Sequence, residues 1–200
     1  MERSNAEEKA LEIDLTKIDR IQGRFPFKFF WRKGTLKPLK GNWEVRGCQL
    51  ETRYHVNETK CGESVSIVSP GNWRDYAFTV CFSFLSQSVK PDEGGVILYF
   101  RYRNTRNHYS FHFCISKHTI ELWKRFRSEW TLIAQAPQFT FKPKHSYSAI
   151  VTTQRHEHSC FLNKVPILKC TDHAIDKGAV GMGAKYCHAV FSNILISRIK

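Results

Sequence analysis

Between Tyr76 and Phe84 the sequence alternates without a break: Tyr76, Phe78, Val80, Phe82 and Phe84 are large and apolar, and Ala77, Thr79, Cys81 and Ser83 are small or mildly polar. A period of two places successive side chains on opposite faces of an extended chain, so this stretch predicts a β-strand with one buried face. Phe78, Phe82 and Phe84 are candidate core residues. From Trp43 onward the same device recurs in runs of five to ten residues, each closed by turn residues. Val96, Leu98, Phe100 and Tyr102 alternate with Ile97, Tyr99, Arg101 and Arg103, which predicts that the arginines face outward. Tyr109, Phe111, Phe113 and Ile115 oppose Ser110, His112, Cys114 and Ser116, and Ile120 and Leu122 oppose Glu121, Trp123 and Arg125. Further runs cover 130–136, 146–153, 158–162, 165–169 and 190–199, and Asn163-Lys164 falls where a two-residue hairpin turn belongs. Strands never alternate with helical stretches. About a dozen short strands joined by turns predict an all-β fold, an antiparallel β-sandwich.

Ahead of the sandwich, residues 1–41 read as an N-terminal extension and 42–200 as the sandwich itself. Ala6, Ala10, Leu11, Leu15, Ile18 and Ile21 are spaced as in a weak amphipathic helix, although the β-branched residues equally suit an extended lead-in. The aromatic segment Phe25-Pro26-Phe27-Lys28-Phe29-Phe30-Trp31 reads as an edge strand or a covering loop, because proline cannot donate to a ladder.

Residues 42–198 resemble the laminin-G-like jelly roll of the 3-keto-disaccharide hydrolase domain family and related concanavalin A-like modules. The resemblance rests on an ordered series of features. It begins with Gly41-Asn42-Trp43, Gly47 and Leu50, then Asp75-Tyr76-Ala77-Phe78, then Gly94-Gly95-Val96 with Tyr102 and Asn107-His108-Tyr109. Glu121-Leu122-Trp123-Lys124, Trp130-Thr131-Leu132, Phe161-Leu162-Asn163-Lys164, Gly178-Ala179-Val180-Gly181 and Phe191-Ser192-Asn193-Ile194 complete it. The resemblance implies a jelly-roll sandwich that binds carbohydrate or cleaves a glycosidic bond. A fold of this kind hosts several functions, so the site must decide.

A glycosidase needs two carboxylates flanking the scissile bond, roughly 5–5.5 Å apart for retention and further for inversion. No such pair is evident: Glu121 is followed on its own face by Trp123, and Asp92 and Glu93 sit in a turn. Non-catalytic binding is the preferred expectation, with glycoside hydrolysis as the alternative should scattered acids converge in space.

The best constellation for binding is the outward set Tyr99, Arg101, Arg103, His112, Trp123 and Arg125, with Trp130 beside it. Aromatic rings stack on sugar rings, and arginine offers a planar fork of donors to carboxylate, sulfate or phosphate. With 31 Lys+Arg against 18 Asp+Glu, a formal net charge of +13, the chain favours acidic partners. The expected ligand is a carbohydrate, and an acidic one, or another polyanion. A protein partner could use the same face, which the aromatic segment or a neighbouring domain could otherwise cover. Nucleic acid is set aside for want of a recognition motif.

No cofactor is expected. His156, His158 and Cys160 alternate as ligands might, but zinc sites use tighter pairs, and calcium needs more carboxylates than this basic chain supplies. The sequence has no 18-residue apolar run and no signal-like N-terminus, and its seven cysteines are odd in number without paired spacing. These features point to reduced thiols and a cytoplasmic setting, or an extracellular one if the chain is a fragment whose sequon Asn57-Glu58-Thr59 is used.

Overall fold

A computed structural model describes residues 11–13, 35–53, 62–85 and 94–199. The Phe25–Trp31 segment, the sequon, Cys61, Asp92 and Glu93 lie outside these residues. Fifteen strands and no helix occur among those described, arranged as two antiparallel sheets.

The first sheet contains β3 (Asn42–Arg46), β4 (Gln49–Arg53), β15 (Ala189–Arg198), β6 (Tyr76–Phe84), β11 (Tyr147–Gln154), β12 (Glu157–Leu162) and β13 (Val165–Thr171), in that spatial order. β1 (Leu11–Ile13) pairs with β15 off this path. The second sheet runs β2 (Thr35–Lys40), β5 (Glu63–Trp73), β14 (Gly178–Lys185), β7 (Gly95–Asn104), β8 (Asn107–Cys114), β9 (Thr119–Phe126) and β10 (Glu129–Ala136). Residues 11–13 are thus extended rather than helical. β1 pairs with β15 of the first sheet and β2 with β5 of the second.

β6 buries every second residue, as its alternation predicts. Phe78, Phe82 and Phe84 are fully or almost fully inaccessible and face Val96, Leu98, Phe100, Phe111, Phe113, Ile120 and Leu122 of the second sheet in one core. Phe82 and Phe113 meet across it at 4.9 Å between ring centroids, and Phe100 stacks on Tyr109 and Phe111 at 5.3 and 5.2 Å. Burying each such ring stabilises the fold by about 1.5–3 kcal/mol. The Asn163-Lys164 turn has both residues at positive φ, 51° and 68°, which matches the right-handed twist of a tight hairpin.

Alternation fails within β7. Phe100 points into the core, yet Tyr102 packs with a separate cluster on the outer face of the second sheet. The pairing of β7 with β8 is irregular between Phe100 and Asn104, and Arg101 has φ of 46°. The bulge reverses the parity of the residues beyond it, so Tyr102 takes the outer face, and the expectation that Arg101 faces outward is corrected. Arg101 is inaccessible at the end of the sandwich.

On the outer face of β14, Gly183 leaves room for the Tyr99 ring. A Cβ there would overlap the Ser64 carbonyl oxygen and stand 3.2 Å from Tyr99. Gly183→Ala is therefore expected to lower stability by about 1–3 kcal/mol through forced displacement of β5 or Tyr99. Urea denaturation checks this, and an unchanged midpoint would contradict the packing described.

Candidate functional site

The outer face of the second sheet carries the aromatic and polar residues that alternation predicted there, arranged in rows by strand register. His108 of β8 stands opposite Arg125 of β9, and Arg125 opposite Trp130 of β10. The next row is Ser110, Trp123 and Leu132, and the one after it holds His112 and Glu121. Trp123 and Trp130 meet edge to face at 6.2 Å, and the Arg125 guanidinium lies 5.2 Å from the centroid of the Trp130 ring. Trp130 is 47% exposed, a large aromatic surface open to a partner.

His108 is buried between Tyr102, stacked on it at 5.3 Å, and Trp130, edge-on at 5.4 Å. Its Nδ1 is 3.1 Å from the Asn104 carbonyl oxygen, which can only accept, so the proton resides on Nδ1 and Nε2 is an acceptor. That Nε2 has no hydrogen-bond partner, and neither does the buried Nε–H of Arg125 in the same row. Burial, joined by the Arg125 charge, pushes the His108 pKa below its ordinary 6.5 and keeps the ring neutral at pH 7. His112 is pushed down to about 3 by burial, with Lys185, His108 and Lys117 adding to it. The row thus presents an exposed aromatic plane with a guanidinium at its side, backed by a buried neutral imidazole, a combination suited to a hydroxyl-bearing ring.

Of the residues singled out in the sequence, His112, Trp123, Arg125 and Trp130 come together here. Tyr99 shares the face but is buried, its hydroxyl donating to Glu63 Oε1 at 2.7 Å, so it forms part of the floor beside Ile97 and Ile67. Arg101 and Arg103 leave the set. Arg103 is exposed at the end of the sandwich, paired with Asp176 and donating to the Lys177 carbonyl. His108 was missed as a site residue, although its spacing from Ser110 and His112 is the signal that places it on this face.

Among the described residues, the carboxylates of this face do not form a hydrolytic pair. Glu63 and Glu121 are separated by β14, β7 and β8, so their backbones stand roughly 19 Å apart at the usual strand spacing. Glu121 accepts from Trp123 Nε1 at 2.7 Å and from Thr119, and Glu63 is tied to Tyr99 and Lys40. Glu44 and Glu51 do stand opposite each other on β3 and β4, but Arg46 bridges them at 3.3 and 3.5 Å. Among the described residues, no group of three or more His, Cys, Asp or Glu could hold a metal ion. His158 and Cys160 are buried in the interior, and His156 instead lies against His173, their ring centroids 4.1 Å apart. The six described cysteines are unpaired.

The architecture is shared with solved sugar-binding domains. The carbohydrate-binding module CBM66 from Bacillus subtilis superposes with a TM-score of 0.68 at 16% identity, over 81% of this chain and 94% of that one. The exoplasmic/lumenal domain of VIP36, solved with calcium and Man3GlcNAc, gives 0.63 at 11% identity over 84% of each. A protein from Parabacteroides distasonis described as a candidate glycosyl hydrolase gives 0.56 at 11%, over 81% and 85%. No protein-family model and no curated protein matches the chain. At these identities the likeness is one of fold: the chain has a concanavalin A-like jelly-roll β-sandwich fold.

Proposed function

We propose that this protein is a non-catalytic carbohydrate-binding module whose ligand lies on the outer face of the second sheet, over Trp130 and Trp123. The observation that carries this reading is the row His108, Arg125 and Trp130. A half-exposed indole with a guanidinium beside it offers a sugar a ring face to stack on and a donor for its oxygens, while His108 supports the indole from beneath. The carbohydrate-binding domains of the same fold support it.

The expected acidic character of the ligand can no longer rest on Arg101 and Arg103, since neither belongs to this face. Arg125 is the guanidinium that remains from the predicted set. Glycoside hydrolysis finds no support in the Glu63 and Glu121 arrangement.

A glycan array that includes neutral, uronic-acid and sulfated sugars tests the proposal. The native chain is expected to bind a defined sugar, and Trp130→Ala to weaken that binding about tenfold, the loss expected for one well-stacked ring. Absence of sugar binding by the native chain, or an unaltered affinity in the variant, would sink it and turn attention to a protein partner.

A further inference from the structure

Two hairpin tips are tied together at one end of this face. The β7–β8 turn holds Asn104, Thr105 and Arg106, and the β9–β10 turn holds Arg127 and Ser128. Ser128 N donates to the Arg106 carbonyl at 3.2 Å, and Arg127 N donates to Asn107 Oδ1 at 3.0 Å. Asn104 Oδ1 in turn accepts from Arg106 N at 2.9 Å and from Asn107 Nδ2 at 3.1 Å. Arg127 and Ser128 both have positive φ, 53° and 77°, the geometry of a tight two-residue turn. The two loops are thereby locked side by side, and both arginines are exposed.

Their charge is largely uncompensated. Arg103, nearby on the chain, is neutralised by Asp176, and Lys124 by Asp172 at 2.6 Å. Neither Arg106 nor Arg127 has a carboxylate partner among the described residues; Arg127 rests its guanidinium 5.3 Å from the Phe126 ring. The acid at this tip is Glu129, exposed and directly after the turn. Arg125 precedes Arg127 by two positions, the first near the end of β9 and the second in the turn that follows it. The backbones of Arg106 and Arg127 therefore lie at the end of the face that carries Arg125 and Trp130.

We infer that the ligand is an anionic oligosaccharide, with one ring on Trp130 and its carboxylate or sulfate groups held by Arg106 and Arg127. This rests on the carbohydrate reading of the same face. Each guanidinium offers a pair of parallel donors that matches either oxyanion, and the locked turns hold the arginine backbones in place before the ligand arrives. The carboxylates of Glu63 and Glu121 are tied to Tyr99, Lys40, Trp123 and Thr119, and neither pairs with Arg106 or Arg127.

The test is calorimetric titration of a neutral oligosaccharide that the array identifies, and of its uronic-acid and sulfated counterparts, at low and high salt. Native protein, Trp130→Ala and the double variant Arg106→Gln/Arg127→Gln are compared, and single-stranded oligodeoxythymidine serves as a polyanion without sugar-ring specificity. The native chain is expected to prefer an anionic sugar over its neutral counterpart by about tenfold at low salt, less at high salt. The double variant should lose that preference while keeping its affinity for the neutral sugar. A preference that survives in the double variant, or equal affinity of the native chain for neutral and anionic sugars, overturns the inference and leaves the carbohydrate reading standing. Native protein that binds no sugar overturns both. Oligodeoxythymidine bound as tightly as the anionic sugar overturns the inference in favour of nucleic acid.

Discussion

Replacing Arg101 by methionine is expected to remove about 1–3 kcal/mol of folding stability, the loss typical when buried acceptors are left without their donor. The guanidinium is fully inaccessible, and the acceptors it meets are neutral oxygens. Nε donates to Thr153 Oγ1 at 2.9 Å, Nη1 to the Ile175 carbonyl at 2.7 Å, and Nη2 to the carbonyls of Arg74 and Arg155. Its backbone N–H donates to Tyr76 Oη at 3.0 Å. One side chain therefore holds together the β5–β6, β11–β12 and β13–β14 connections. Methionine fills a comparable volume but supplies no donors, so the buried Ile175 carbonyl and the partly buried Arg74 and Arg155 carbonyls each lose a donor. Arg101→Lys should recover only part of the loss, because one ammonium cannot reproduce the fork. Urea denaturation reads the effect, and a loss below about 1 kcal/mol for the methionine variant would refute the account. Sugar affinity of the folded variant should stay unchanged, since Arg101 lies inside the sandwich; a large drop would return it to the binding face.

The second large effect is acid lability centred on His158. This ring is completely buried on β12, 5.2 Å from Phe100 and 4.8 Å from Tyr109 by centroid, and neither ring nitrogen has a hydrogen-bond partner. Burial, then the Arg101 charge, pushes its pKa from 6.5 down to about 4, against a smaller opposing effect of Asp172. The unfolded chain takes up the proton first. Stability is therefore intact above pH 6.5 and falls as pH drops from 6.5 towards 4, by about 3 kcal/mol in all from this group. His112, also depressed, adds in the same direction. His158→Phe removes the titration and leaves no unsatisfied nitrogen among the aromatic rings. It should be at least as stable as the native chain at pH 7, and about 2 kcal/mol less sensitive to acidification from pH 7 to 5. Denaturation midpoints of both proteins across this range decide the matter; parallel curves would exclude His158 as the source.

Much of the sandwich was legible because burial on one face imposes a period of two on the chain. Tyr76 to Phe84, Tyr109 to Phe113 and Ile120 to Arg125 could each be assigned an inner and an outer face from side-chain type. That assignment placed His112, Trp123 and Arg125 correctly on the outer face. The same reasoning reaches His108, two residues before Ser110, even though it was not singled out. It could not reach Arg101 or Tyr102. A single bulge reverses the faces beyond it, and Arg101 adopts positive φ without being glycine, so no local residue type announces the break. What holds Arg101 in place comes from Arg74, Thr153, Arg155 and Ile175, segments 27 to 74 residues away in the chain.

The sequence by itself determined which residues alternate and hence the class of fold, because hydrophobic burial acts on each strand locally. Only the tertiary structure decided which outward residues share a site. Strand register aligns His108, Arg125 and Trp130 in one row, a hydrogen bond between two turns brings Arg106 beside Arg127, and the bulge withdraws Arg101 from the face, all through contacts between residues remote in sequence.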